Sequence, residues 1–357
     1  MRNKNQHVIP NCYLKSWCDP RSLGDQNPHI WRVRRDGSQK RRKSPEKSFR
    51  ANNRYTITMP NGDRNLVIEN TLGGIENQFV NVLGRIRRRE YLTPRDRAHL
   101  CLFTAAMHAR ADAVGEHWKK FYQSVHSQVV ALEKKHNSTP TTSLESADMV
   151  KHAYPYTVDL SVEVLAPMLF RMPMTILVTD DALGFITSDN PCVWFVPNAH
   201  TMPPMLRHPS LSQPDIEISL PLTPQHLLLI AHRAYPQYVD ARKATVDEAN
   251  RSRRFNCTEE FVSWKGGTLP YWFDPGKEPD DTWEKSPEGM AALAEQERYK
   301  KWQVEYQEAT NSRDETGDRR DASRLSPSSP GIEMTVANVW DADKTIVRTD
   351  DSCACRE

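Results

Sequence analysis

The chain has 357 residues, 48 Lys/Arg against 46 Asp/Glu, 38% hydrophobic residues and a mean hydropathy of −0.70. That length suits one large domain or two ordinary ones, and no run of about 18 apolar residues is present to cross a membrane. The seven cysteines fall at irregular spacing and no apolar leader follows the basic start, so the expectation is a cytoplasmic protein with free thiols.

The near-neutral total hides an asymmetry. Residues 1–110 carry 22 Lys/Arg against 9 Asp/Glu, while residues 274–357 carry 12 against 20. The excess is concentrated in "WRVRRDGSQKRRKSPEKSFR" (31–50) and "RIRRREYLTPRDR" (85–97). Such clusters attract nucleic acid or another polyanion; equally, they can form a solvated surface facing the chain's own acidic end. No zinc-finger, basic-zipper or RNP-like pattern accompanies them.

In chain order, "HIWRVRRDG" (29–37) alternates and then reaches Asp-Gly, which predicts a hairpin, and "RYTITM" (54–59) is a second candidate strand. From Glu69, the residues Leu72, Ile75, Phe79, Val82, Leu83 and Ile86 recur at helical spacing. "TPRD" (93–96) opens a further helix, with Thr93 as N-cap and Pro94 in first position. The apolar spacing carries that helix as far as Leu132, with a stop by "HNSTPTT" (136–142). A helix near 143–153 and an amphipathic stretch, 158–170, follow. "TILVTDDALGFITSDNP" (175–191) reads as strand, turn, strand, and "DIEISLPLTPQHLLLIAH" (215–232) as two joined strands. A helix over 244–257 and a strand over 260–264 complete the domain. The expected fold is α+β over 1–270, with a helical centre and a small, mainly antiparallel sheet. Residues 271–357 read as a charged, mostly disordered tail, within which 286–309 has the pattern of one exposed helix.

Several ordered pieces carry a resemblance. "HVIPNCYLKSW" (7–17) fits His-x-x-Pro-x-x-Tyr-Leu, through His7, Pro10, Tyr13 and Leu14. Glu69 and Glu76, Arg110, Ser188-Asp189-Asn190-Pro191, Pro221-Leu222 and Asn250 follow. In this order they resemble domain-of-unknown-function family 4238 over roughly residues 5–265. The resemblance implies a shared fold and shared site positions, and it implies no reaction.

Glu69 and Glu76 lie about 20° apart on a helix, at the edge of its apolar stripe. With His7 and Asp189 they make a His/Glu/Glu/Asp set suited to a hard divalent metal or to acid–base work. Arg110, Ser188, Asn190 and Asn250 are the candidate substrate contacts, with Arg110 the phosphate-binding group. The same residues equally suit a hydrogen-bonded hub that holds the N-terminal arm on the helices. Asp189 likewise has two readings, a ligand at a strand end or one member of an Asx-type turn. "RADAVGEH" (110–117) matches the loose Arg-x(6)-His signature of HEPN-type ribonucleases. No Walker glycine loop, dinucleotide fingerprint or Gly-x-Ser-x-Gly elbow is present. Two functions remain: a hydrolase acting on a phosphate-containing substrate such as nucleic acid, or a non-enzymatic binding or regulatory module.

Overall fold

The computed structural model describes residues 5–197, 199, 202–203, 207–274 and 282–311, and its fold is α+β. The chain divides into two units, Met1–Asp280 and Asp281–Glu357. The expected disorder of 275–281 and 312–357 lies outside the described residues. Within the second unit, α9 (Thr282–Lys285) precedes the long α10 (Pro287–Asn311), the helix predicted over 286–309.

The first unit begins with an arm, β1 (Asn5–His7) and α1 (Asn11–Leu14), laid against two helices. These are α2 (Val67–Arg87) and α3 (Pro94–Ala109). The apolar spacing read from the sequence of α2 is its buried stripe, from Leu72 through Ile86. Phe79 of α2 stacks on Phe103 of α3 at 3.8 Å between centroids, and Tyr13 of the arm closes the cluster. Each such aromatic or aliphatic side chain contributes about 1.5–3 kcal/mol by leaving water. The predicted cap is present as a reciprocal box. Thr93 Oγ1 accepts from the Asp96 amide at 3.2 Å, and Asp96 accepts from the Thr93 amide at 2.9 Å.

The predicted long helix is interrupted. α3 ends at Ala109, Ala111 turns extended (φ −62°, ψ 137°), and α4 (Asp112–His136) starts anew. The apolar period runs straight through this point, so the break is tertiary. Arg54 donates to the Arg110 carbonyl at 3.3 Å and pairs with Asp112 at 2.5 Å, which satisfies the groups that a continuous helix would use otherwise. α4 stops at Asn137 in the left-handed region, inside the expected stretch. α5 (Thr142–Lys151), α6 (Ala153–Leu160), one π-helical turn (Ser161–Leu165) and α7 (Ala166–Phe170) complete the helical part.

Two sheets do the rest. The first contains β7 (Met174–Val178), β9 (Val193–Phe195), β10 (Glu217–Thr223), β11 (His226–Ala231) and β12 (Tyr238–Asp240). Its order is β12-β7-β11-β10-β9, antiparallel except for the β12–β7 pair. The second contains β2 (Ile30–Arg34), β3 (Lys40–Lys43), β8 (Thr187–Ser188) and β13 (Glu260–Ser263), in the order β3-β2-β13-β8, all antiparallel. The Asp-Gly hairpin is the β2–β3 connection, with Gly37 at φ 78°. Two short ribbons join β1 to β4 (Arg50–Asn52) and β5 (Ile57–Thr58) to β6 (Arg64–Asn65).

The stretch 175–191 contains two strands that do not pair with each other. β7 belongs to one sheet and β8 to the other, and the apolar "ALGFI" crosses the interior between them, with Phe185 and Ile186 fully buried. Gly184 makes the turn possible. It sits at φ 63°, and a Cβ there would lie 2.3 Å from the Pro224 carbonyl oxygen. The first unit also runs beyond residue 270: Trp272 is fully buried among Val33, Ile186, Cys257 and Phe261. The five described cysteines are free, and among the described residues no helix is long and apolar enough to cross a membrane.

Candidate functional site

Arg110, the C-cap of α3, is 2% exposed and points back under the arm. Its Nη1 donates to Glu76 Oε1 at 2.7 Å, and its Nη2 donates to the His7 backbone carbonyl. The Tyr55 ring lies 5.4 Å from the guanidinium. On the other side of Glu76, the Cys12 thiol approaches Oε2 at 3.9 Å, and burial beside that carboxylate pushes the thiol up to about 12. Glu69 lies in electrostatic reach of both Glu76 and Arg110. Burial holds its carboxyl above the usual range, although the arginine pulls it down. The His7 ring bonds the Glu46 carbonyl at 2.9 Å, and burial lowers its pKa against the opposite pull of that bond.

Of the expected set, the fold brings His7, Glu69 and Glu76 together around Arg110, and it does not bring Asp189 to them. What unites them is an ion pair clamping the arm to α2 and α3. Breaking such a buried pair from one side costs about 3–5 kcal/mol.

Asp189 is held elsewhere. It is 9% exposed, and its two carboxylate oxygens accept the backbone amides of Thr258 (2.8 Å), Glu259 (2.6 Å) and Glu260 (3.0 Å). Burial raises its pKa, while the three amides oppose that shift. The carboxylate thereby fixes the chain entering β13, which pairs with β8 next to it. Ser188 accepts from the Asn190 amide at 3.1 Å, and Asn190 Nδ2 donates to the Asn256 carbonyl at 3.1 Å. Asn250, fully buried on α8 (Lys243–Asn256), accepts from the Ile186 amide and donates to the Gly184 carbonyl, at 2.9 and 2.8 Å. It holds open the crossing between the sheets. The turn reading and the contact reading of "SDNP" thus meet in one feature: the turn is made by contacts to α8 and β13.

Asp189 also borders a cleft of about 460 Å³ that includes Arg32, Arg50, Arg54, Asp112 and Glu260. Its inner charges are already matched. Arg32 and Arg41 both pair with Glu260, Arg32 stacks on Phe49 at 4.2 Å, and Arg54 pairs with Asp112. Among the described residues no group of three or more His, Cys, Asp or Glu side chains is placed to hold a metal ion. The Arg110–His117 spacing is not on one continuous helix, and His117 is exposed on α4 while Arg110 is buried. Sequence reasoning missed Arg32, Arg54, Asp112 and Glu260. The basic run was visible, but nothing in its spacing told inward arginines from outward ones.

The comparisons with known proteins fit this geometry. The chain belongs to the DUF4238 family, described as protein of unknown function. The family match covers residues 5–265, from the arm through β13, and so contains both hubs and the cleft. No curated protein and no solved structure matches the chain.

Proposed function

We propose that the protein is a non-enzymatic binding module that docks a polyanion, nucleic acid in the first instance, on the β2–β3 face. One observation carries this reading: Lys40, Arg41, Arg42 and Lys43 are four consecutive exposed cations on the edge strand of a sheet. The side chains of Lys43 and nearby Lys47 form no hydrogen bond or ion pair with any described residue, so their charge is available to a phosphate. The adjoining open depression of about 700 Å³ places Arg34, Arg35, Arg41 and Arg254 among Asp36, Glu259 and Glu260. Three of the predicted residues support the same view by being committed internally, Asp189 to three amides, Glu76 to Arg110 and the His7 ring to the Glu46 carbonyl. Cations on an edge strand also guard it against pairing with another chain, which is a purely structural use of the same residues.

The competing reading is a hydrolase of a phosphate-containing substrate. It is favoured by Asp112, whose side chain is 52% exposed in the cleft within reach of Asp189. One experiment addresses both. Labelled RNA and DNA are titrated with the full chain over a salt series, and the same mixtures with Mg²⁺ or Mn²⁺ are run out for cleavage. Lys43→Gln with Lys47→Gln should weaken binding and lower the salt slope by about 0.7–0.9 per lysine. Absent binding, or an unchanged slope in the double variant, leaves the charges as edge protection. Metal-dependent cleavage would replace the binding reading by the hydrolase.

A further inference from the structure

A second pocket, of about 400 Å³, opens at the β12–β7 edge of the five-stranded sheet. It shares no lining residue with the cleft or the basic face. Met174 and Ile176 of β7 form its floor, and its walls include Tyr91, Tyr235, Arg97 and Arg171. No aspartate or glutamate lines it.

Both tyrosines are exposed, and the Tyr235 ring carries the Arg233 guanidinium at 5.2 Å. Tyr91 is 76% exposed and Tyr235 40%. The Tyr91 side chain makes no hydrogen bond or ring contact with any described residue, yet the backbone on both sides of it is fastened. The Glu90 carbonyl accepts from Gln237 Nε2 at 3.1 Å and from Tyr238 Oη at 2.7 Å, and the Leu92 amide donates to Gln237 Oε1 at 3.1 Å. An open aromatic ring on a backbone held by three hydrogen bonds is pre-organised to receive a flat partner.

Neither arginine has a carboxylate partner among the described residues. The Arg171 side chain is exposed and pairs with nothing described. Arg97 lays its guanidinium 5.7 Å from the Phe170 ring and donates Nη2 to the Met172 carbonyl at 3.3 Å. Its buried Nε has no acceptor. With no carboxylate beside it, the Arg97 guanidinium keeps its charge available to an anion in the pocket. Guanidinium groups match phosphate oxygens in planar geometry.

We propose that this pocket binds a nucleoside phosphate, its base against Tyr91 and Tyr235 and its phosphate on Arg171 and Arg97. The volume falls in the range of about 300–1,000 Å³ typical of small-molecule sites. The chemistry is shared by a free nucleotide and by the phosphorylated 5′ end of a strand, and the test separates them.

The full chain is titrated calorimetrically with the common nucleoside mono- and diphosphates. Controls are the bare nucleosides, inorganic phosphate, and short oligonucleotides with a 5′-phosphate or a 5′-hydroxyl. Tyr91→Ala and Arg171→Gln alter side chains without partners, so both variants should fold as the parent does. At least one nucleoside phosphate should bind saturably and more tightly than its nucleoside or than phosphate alone, and each variant should weaken it about tenfold. A preference for the 5′-phosphorylated over the 5′-hydroxyl oligonucleotide that Arg171→Gln removes would assign the site to a strand end, and saturable nucleotide binding without that preference to the free ligand. Lys43→Gln/Lys47→Gln should leave nucleotide affinity untouched, so failure of the basic-face reading is distinguishable from failure of this one. No detectable binding of any nucleoside phosphate or 5′-phosphorylated strand, or affinity unchanged in Tyr91→Ala and Arg171→Gln, overturns the proposal.

Discussion

Replacing Asp189 by alanine separates a structural carboxylate from a chemical one. The change removes three amide contacts at once. Thr258 and Glu259 are exposed, so water can take over their amides, and each loss there costs about 0.5–1.5 kcal/mol net. Glu260 is 5% exposed at the start of β13, and its stranded amide carries a desolvation penalty of about 1–3 kcal/mol. The expected loss is therefore about 2–6 kcal/mol. Asp189→Asn should cost less, because its one oxygen can still accept the Glu259 and Glu260 amides and only the Thr258 amide loses its acceptor. Urea unfolding of parent and variants measures this as a shift in midpoint at constant m. Hydrogen exchange should show the amides of 258–260 losing protection ahead of the rest of β13. Polyanion affinity per folded molecule should not change. A variant less than about 1 kcal/mol destabilised, with intact protection at 258–260, would refute the clamp and return Asp189 to the candidate ligands.

The arm clamp predicts coupling. Glu76→Gln and Arg110→Met should each cost about 3–5 kcal/mol, and the double variant should recover part of that sum, which a double-mutant cycle in urea reads directly. Two buried histidines predict an acid limb. Burial lowers His108, stacked on Trp194 at 4.9 Å, to about 4. Burial together with Arg87 and Arg89 lowers His226 to about 4. Both pKa values lie below the unfolded value, so their contribution is full above about 6.5 and is lost as pH falls through 4. It amounts to no more than about 3 kcal/mol each. His108→Phe with His226→Gln should flatten the stability profile between pH 6 and 4 relative to the parent, and an unchanged slope would contradict the assignment.

The stripe of one helix and the start of another were written locally. The stripe of α2 needs only the 3.6-residue period, and the start of α3 needs only Thr93, Pro94 and Asp96 in order, so both are legible without the fold. The Asp-Gly hairpin is legible for the same reason: a left-handed glycine and alternating strands are neighbours in sequence. The candidate residues were legible as positions. His7, Glu69 and Glu76 do converge, on Arg110, whereas Asp189, expected beside them, is held in a turn against β13.

Their partners were not legible, because each lies far along the chain. The break after Arg110 is made by Arg54, 56 residues earlier, and the Asp189 clamp closes on amides about 70 residues later. The strand, turn and strand of 175–191 join different sheets because Asn250, 66 residues from Gly184, holds the crossing. A charge run states that cations are present. Only packing decides that Arg32 turns inward to Glu260 while Lys43 remains in water. Local chemistry thus determined which segments form helices and strands and where α3 starts. Long-range hydrogen bonds decided which polar side chains are spent inside the protein and which are left free for a ligand, because desolvating a charge is affordable only where a distant segment supplies its partner.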